Sequence, residues 1–149
     1  MIAQFMVPGQ PQGKGRARSF VRNGKVGHHT PAKTRSYEGV ITTLAMEAMQ
    51  GRAPQGCPMM IELVIGMQIP SSWPEWKKTA ALCNDVAPTT KPDADNVLKA
   101  IKDACNGVVW RDDCQVVQVS LTKIYVFSPG VMVTVYGVDK KPAQDKKRG

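Results

Sequence analysis

The sequence predicts a single α+β domain in which a mixed, mostly antiparallel sheet is flanked by two main helices. Three observations carry this. Strand-like apolar runs stand at both ends and in the middle of the chain. Two longer segments place their apolar residues at helical spacing. Gly and Pro punctuate these elements, with no repeat and no linker between two cores, and 149 residues suit one domain.

The elements follow in order. Ile2–Val7 reads as a short strand closed by Pro8-Gly9. Residues 8–35 are rich in Gly, Pro, Lys and Arg; within them Ser19–Arg22, the turn Asn23-Gly24 and Lys25-Val26 read as a small hairpin. From about residue 31 to 50, Tyr37, Val40, Ile41, Leu44, Ala48 and Met49 recur at helical spacing, and Gly51 is the stop. Pro58–Pro70 is a strand with apolar residues on both faces. The stretch 71–92, with Pro74, Pro88 and Pro92, is an excursion holding a short helix near Glu75–Cys83.

Asp93–Asn106 is the second good helix, with Val97, Leu98, Ile101, Ala104 and Cys105 as its apolar stripe and Asn106-Gly107 as its end. Strand-like Val108–Trp110 leads to the polar step Arg111-Asp112-Asp113. A long strand Cys114–Phe127, the turn Ser128-Pro129-Gly130 and a strand Val131–Val138 complete the domain at residues 1–138. Residues 139–149 read as a basic, disordered tail.

Charge narrows the function. The chain carries 20 Lys and Arg against 12 Asp and Glu, a net charge of +8. Residues 1–35 hold seven bases (Lys14, Arg16, Arg18, Arg22, Lys25, Lys33, Arg35) and no acid, and residues 139–149 hold five bases and two acids. Residues 36–138, with eight bases and ten acids, are net −2. A basic arm, an acidic middle and a basic tail point to a polyanion, most simply nucleic acid.

Other classes fall away. No run of 18 apolar residues spans a membrane, and the N-terminus lacks a signal-peptide pattern, so a cytoplasmic location is expected. Cys57, Cys83, Cys105 and Cys114 stand 26, 22 and 9 positions apart, without the close pairs that zinc sites and redox dithiols use. Buried free thiols in a reducing compartment fit better.

Five of the twelve acids lie within 21 positions, in KPDADNVLKAIKDACNGVVWRDD. Asp93 and Asp95 open a helix, and Asp112-Asp113 precedes a strand. If the chain doubles back, Asp93, Asp95 and one of Asp112 or Asp113 can converge as the hard oxygen ligands of Mg²⁺. Such a site would orient and hydrolyse a phosphodiester. Lys99, four positions after Asp95 and on the same helix face, suits the phosphate charge. The bland alternatives use the same residues: Asp93 as an N-cap, Asp95 as a first-turn charge, Asp112-Asp113 as a polar turn, and Lys99 as a solvated charge. Asp103 reads as a solvent-facing helical charge.

Lys91-Pro92-Asp93-x-Asp95-Asn96-x-x-Lys99-Ala100, then Asn106-Gly107-Val108-Val109-Trp110-x-Asp112-Asp113 and Gln115-Val116, resemble the RusA family of endodeoxyribonucleases, Holliday junction resolvases of phage and prophage origin. Pro8-Gly9-x-Pro11, Gly13-Lys14-Gly15-Arg16 and Thr30-Pro31-x-Lys33-Thr34 are similar to its phage-type members, so the resemblance spans about residues 2–138. It implies a RusA-like fold and a Mg²⁺-dependent homodimer, with Mn²⁺ as a substitute, that nicks opposed strands of four-way junctions during recombination and repair. It maps the essential carboxylates onto Asp93, Asp95 and Asp113 and the helix lysine onto Lys99, with Asp112 in the neighbouring acidic position as a candidate further site residue. A two-fold dimer also matches a junction that needs two symmetric cuts.

The arm residues Lys14, Arg16, Arg18, Arg22, Lys25 and Lys33 are expected to neutralise phosphates, ordering when DNA arrives. Phe20 either wedges into an open branch point or packs the hairpin. Trp73 and Trp76 either stack on bases or pack the excursion on the domain. His28-His29 is unassigned. Two other readings fit the same residues: a non-catalytic DNA-binding protein, and a nuclease for flaps or forks.

Overall fold

A computed structural model describes residues 1–14, 18–22, 25–29 and 32–143. In chain order these form β1 (Ala3–Pro8), β2 (Arg18–Arg22), β3 (Lys25–His29), α1 (Ala32–Met49), β4 (Met59–Gln68), α2 (Glu75–Leu82), α3 (Ala94–Cys105), a 3₁₀ turn (Asp113–Gln115), β5 (Val116–Val126) and β6 (Gly130–Gly137). The expected α+β domain is present, with α2 as a short third helix. The expected hairpin turn at 23–24 and the last six tail residues lie outside the described residues.

Four strands make one sheet in the order β1-β6-β4-β5, while β2 and β3 pair separately. β6 runs antiparallel to both β1 and β4, but β4 and β5 are parallel. A parallel pair needs a crossover connection, and the excursion with α2 and α3 supplies it. Alternate residues of β4, from Met59 through Ile61, Leu63 and Ile65 to Met67, are buried, as period-two geometry requires of a face packed on a core. They share one cluster with Tyr37, Ile41, Ala45 and Met49 of α1 and with Val97, Ile101, Ala104 and Cys105 of α3. Val40, expected in the α1 stripe, is exposed; the buried face runs at strict i, i+4 steps instead.

Two differences lie beside the acids. The strand expected from Cys114 starts at Val116, because residues 113–115 form the 3₁₀ turn. The expected strand at 108–110 is part of a reversal. Gly107 takes φ +78°, a conformation open to glycine, and its N–H donates to the Trp110 carbonyl at 2.8 Å. α3 must hand the chain back to a strand running the other way, and this turn does so.

The reversal gives the molecule two ends. At one end lie the start of β1, the last turn of α1 and the starts of β4 and β5, tied by Arg52, which donates to the Met49 and Ile2 carbonyls. At the other lie the β5–β6 turn, where Gly9 N–H donates to the Pro129 carbonyl at 3.1 Å, and the segment leading into α3. Lys123, well along β5, donates to the Thr90 carbonyl just before that helix.

Candidate nuclease site

Asp93 stands at the N-cap of α3 with extended backbone (φ −66°, ψ 145°), yet its side chain makes no capping hydrogen bond. Asp95 lies in the first turn, where the helix dipole favours an anion. Both are exposed, and neither makes a hydrogen bond or ion pair among the described residues. The segment before them is held against the N-terminal arm. A Cβ on Gly13 would stand 3.0 Å from Asn96 Cβ and 3.2 Å from Pro92 Cβ, so a side chain there would need those neighbours to give by a few tenths of an ångström, and Lys14 N–H donates to the Asn96 carbonyl at 3.1 Å.

One turn on, Asp95, Leu98, Lys99, Lys102 and Asp103 line a shallow pocket of about 210 Å³ on the outer side of α3. Lys99 is mostly exposed and sits 3.8 Å from Asp103, a loose i, i+4 pair worth little in water. Its ammonium is therefore accessible to a phosphate. Lys102, which the sequence pattern did not single out, borders the same pocket; its i+3 spacing from Lys99 was the available signal.

Lys14 behaves differently from the rest of the expected arm. Its ammonium lies 2.7 Å from Glu38 and 2.8 Å from Asp103, linking α1 to α3. Burial pulls its pKa down, but the hydrogen bonds and charges of Asp103 and Glu38 outweigh this and hold it above the usual lysine range. Asp103, expected as a solvent-facing charge, is instead a half-buried ion-pair partner. Arg18, Arg22 and Lys25 lie on β2 and β3 and Lys33 in the first turn of α1, as their backbones place them. The side chains of these four and of Phe20, and all of Arg16, lie outside the described residues.

The second pair of acids is tied into structure. Asp113 Oδ1 accepts a 2.8 Å hydrogen bond from Nε1 of the fully buried Trp110. Asp112 accepts from Cys114 N–H at 3.5 Å. Gln115 completes the turn: its Oε1 accepts from Arg111 and Asp112 N–H, and its Nε2 donates to the Gln55 and Cys57 carbonyls, each at 2.9 Å. Burial, then the nearby Asp113 charge, pushes the Cys105 thiol up to about 12.

The structure thus separates the expected ligands within one chain. Asp93 and Asp95 lie at the start of α3, and Asp113 lies beside Cys105 at its end. Twelve residues at 1.5 Å each make that helix about 18 Å long. Among the described residues, no three His, Cys, Asp or Glu side chains gather closely enough to hold a metal ion. What one chain offers is a pair of exposed hard-oxygen donors, Asp93 and Asp95, whose chemistry suits Mg²⁺. A larger cleft of about 570 Å³, between β5 and residues 138–143, is lined by Cys114, Gln115, Val117, Lys140 and Lys141 and contains no carboxylate side chain.

The start of α3 thus presents two exposed carboxylates, with Lys99 and Lys102 one turn on and Gly13-Lys14 packed against the helix. The family described as endodeoxyribonuclease RusA matches residues 8–136, and the chain belongs to that family. It is thereby a DNA endonuclease, a hydrolase of phosphodiester bonds, in a family of Holliday junction resolvases that generally require a divalent metal. The chain is also 34% identical over 134 residues to uncharacterized protein YqaN of Bacillus subtilis (strain 168), covering 89% of this chain and 94% of that one. No helix among the described residues is long and apolar enough to cross a membrane.

Proposed function

We propose that the protein is a Mg²⁺-dependent, structure-selective endonuclease that resolves four-way DNA junctions by paired symmetric nicks as a homodimer. The observation that carries this is the state of Asp93 and Asp95: two carboxylates at one helix start, exposed, and without a hydrogen bond or ion pair among the described residues. An Asp93 that served only as the N-cap of α3 would be using its oxygens on the first-turn N–H groups.

Asp93 and Asp95 would hold Mg²⁺, which supplies Lewis-acid polarisation of the scissile phosphate when bound. Lys99 would neutralise the phosphate and the charge that develops on it, and Lys102 would set the approach of the backbone along α3. Asp113 is the third acid of this reading, and its distance from the other two supports a site shared between copies. β5 is an edge strand of 11 residues whose Val117 and Val119 are exposed. Such an edge is a template for pairing. Antiparallel pairing of two β5 edges about a two-fold axis would carry the start of one strand, with Asp113, toward the end of the other, beside the α3 start. Two equivalent sites would then face two equivalent strands. The basic residues 16–33 would grip the arms of the junction.

The test uses a synthetic four-way junction and a matched linear duplex, each with Mg²⁺ or EDTA, with the products mapped at nucleotide resolution. Symmetric paired nicks in the junction alone, absent with EDTA, are expected. Junction binding without cutting under every metal condition would overturn the reading. Faster cutting of flaps or forks would redirect it to another branched substrate.

A further inference from the structure

Phe127 is 91% exposed, the most exposed large apolar residue of the described chain, and it stands on the rigid turn between β5 and β6. We infer that Phe127 is a base-stacking residue, inserted against an unpaired base at the branch point of the DNA substrate. The inference rests on the junction-cleaving reading above.

Three observations support it. The first is rigidity. β5 and β6 flank β4 in register up to this turn, and Gly9 N–H fastens the turn through the Pro129 carbonyl. A wedge must not fold away when pushed, and this ring is carried on two anchored strands. The second is position. Phe127 follows Lys123 by four residues, about 13 Å along a strand at 3.3 Å per residue. Lys123 itself donates to the Thr90 carbonyl, three residues before Asp93. The ring therefore projects past the same end of the sheet at which α3 begins. The third is company. Trp76 of α2 is 71% exposed at that end, while its neighbour Trp73 is committed inward, edge-on to Tyr125 at 5.2 Å with Lys77 above it at 4.0 Å. Two aromatic side chains thus face solvent at the end of the sheet from which α3 starts.

The occupant follows from the substrate. A DNA endonuclease meets apolar surface chiefly in the faces of the bases, and at a branch those faces become available. Base–aromatic stacking tolerates any base, so it selects for structure rather than sequence. An exposed Phe of this kind contributes nothing to the core, so its removal leaves the fold intact.

The experiment places 2-aminopurine at the branch point of a four-way junction and titrates the full-length protein in EDTA, so that no cutting intervenes. With the native chain the fluorescence rises as the base unstacks. Phe127→Ala is expected to abolish that rise and weaken junction binding roughly tenfold, with duplex binding and the melting temperature unchanged. Phe127→Trp is expected to restore both signals. Equal fluorescence and affinity for Phe127→Ala and the native protein overturn the inference. So does a Phe127→Ala chain whose sedimentation shows a lost dimer, since the ring would then contact a second copy. If the native protein neither binds nor cuts the junction, the cleavage reading fails and takes this one with it. If the native protein does both and the variant matches it, only this one fails.

Discussion

At the start of α3 the Asp93 and Asp95 carboxylates reach solvent without a partner among the described residues, whereas beyond its end Asp112 and Asp113 are built into the turn that launches β5. The residue type is the same and the sequence context equally helix- or turn-like. What separates the two ends is whether the local structure uses the oxygens. Asp112 and Asp113 satisfy backbone and indole N–H groups that a reversal would otherwise leave unmet. Asp93 occupies a capping position without capping. An acid doing no structural work at a helix start is available for chemistry, and one that is hydrogen-bonded has its orientation set.

The sharpest way to break this comparison is to neutralise the acids at the start of α3. Asp93→Asn or Asp95→Asn is expected to lower junction cleavage by a hundred- to a thousand-fold, on the order seen when other transition-state charge stabilisers are removed. Stability should move by less than about 0.5 kcal/mol, as for exposed sites. Junction binding should hold or tighten, because repulsion toward phosphate falls. Single-turnover kinetics, thermal melts and binding in EDTA check the three together. A melting temperature that collapses with activity would make Asp93 a structural cap after all.

The opposite pattern is expected beyond α3. Gln115→Ala removes two acceptor and two donor contacts at once and leaves backbone groups of residues 55, 57, 111 and 112 without them. The cost should be about 3 kcal/mol, or roughly 6–12 °C in melting temperature for a chain of this size. Cleavage measured well below the melting temperature should fall far less than for Asp93→Asn. A change of rate without a change of stability would show that this turn acts in chemistry and not only in folding.

How much of this was legible beforehand differs between the two ends for a physical reason. The α+β class, α3 with its stripe, and the acids themselves follow from periodicity and spacing, which are local. Val97, Ile101, Ala104 and Cys105 are buried as their spacing requires. Whether a carboxylate is engaged is not local. Trp110 reaches Asp113 only because Gly107 turns the chain, and Lys14 meets Asp103 only because the arm crosses α3. The expected convergence of Asp93, Asp95 and Asp113 assumed that a helix followed by a strand returns to its own start. The strand does return, but Asp113 sits at its near end and Lys123 at its far one. Phe127 gave no signal because a lone apolar residue at a strand end reads as packing.

Alkaline titration sharpens the comparison through Cys105, which lies under the Asp113 end. Its thiol, raised by burial and then by the Asp113 charge to about 12, stays protonated in the folded chain above pH 9, where the unfolded chain releases the proton. A folded-state pKa above the unfolded one gives stability that is complete below pH 9 and is lost as pH rises toward 12. The loss attributable to this group is at most roughly 1.4 kcal/mol per pH unit. Cys105→Ala should flatten that part of the slope, at a cost of about 1 kcal/mol near neutrality. Urea melts of both proteins between pH 8 and 10 measure the difference. Identical slopes would mean that the thiol is not shielded as the packing implies.

The smallest effect concerns which side of the site Lys14 serves. Its two ion pairs join the arm to α1 and α3, and its backbone N–H donates to the carbonyl of Asn96, the residue after Asp95. If it is a clamp, Lys14→Met costs about 1 kcal/mol, lowers the melting temperature by roughly 2–4 °C, and leaves the salt dependence of junction binding as it was. A lysine spent on phosphate gives the reverse result, with stability unchanged and the slope of log affinity against log salt reduced by about 0.9. The geometry favours the clamp, since an ammonium within 2.8 Å of two carboxylates has little charge left to offer DNA. Cleavage should then fall only as far as the α3 start loosens.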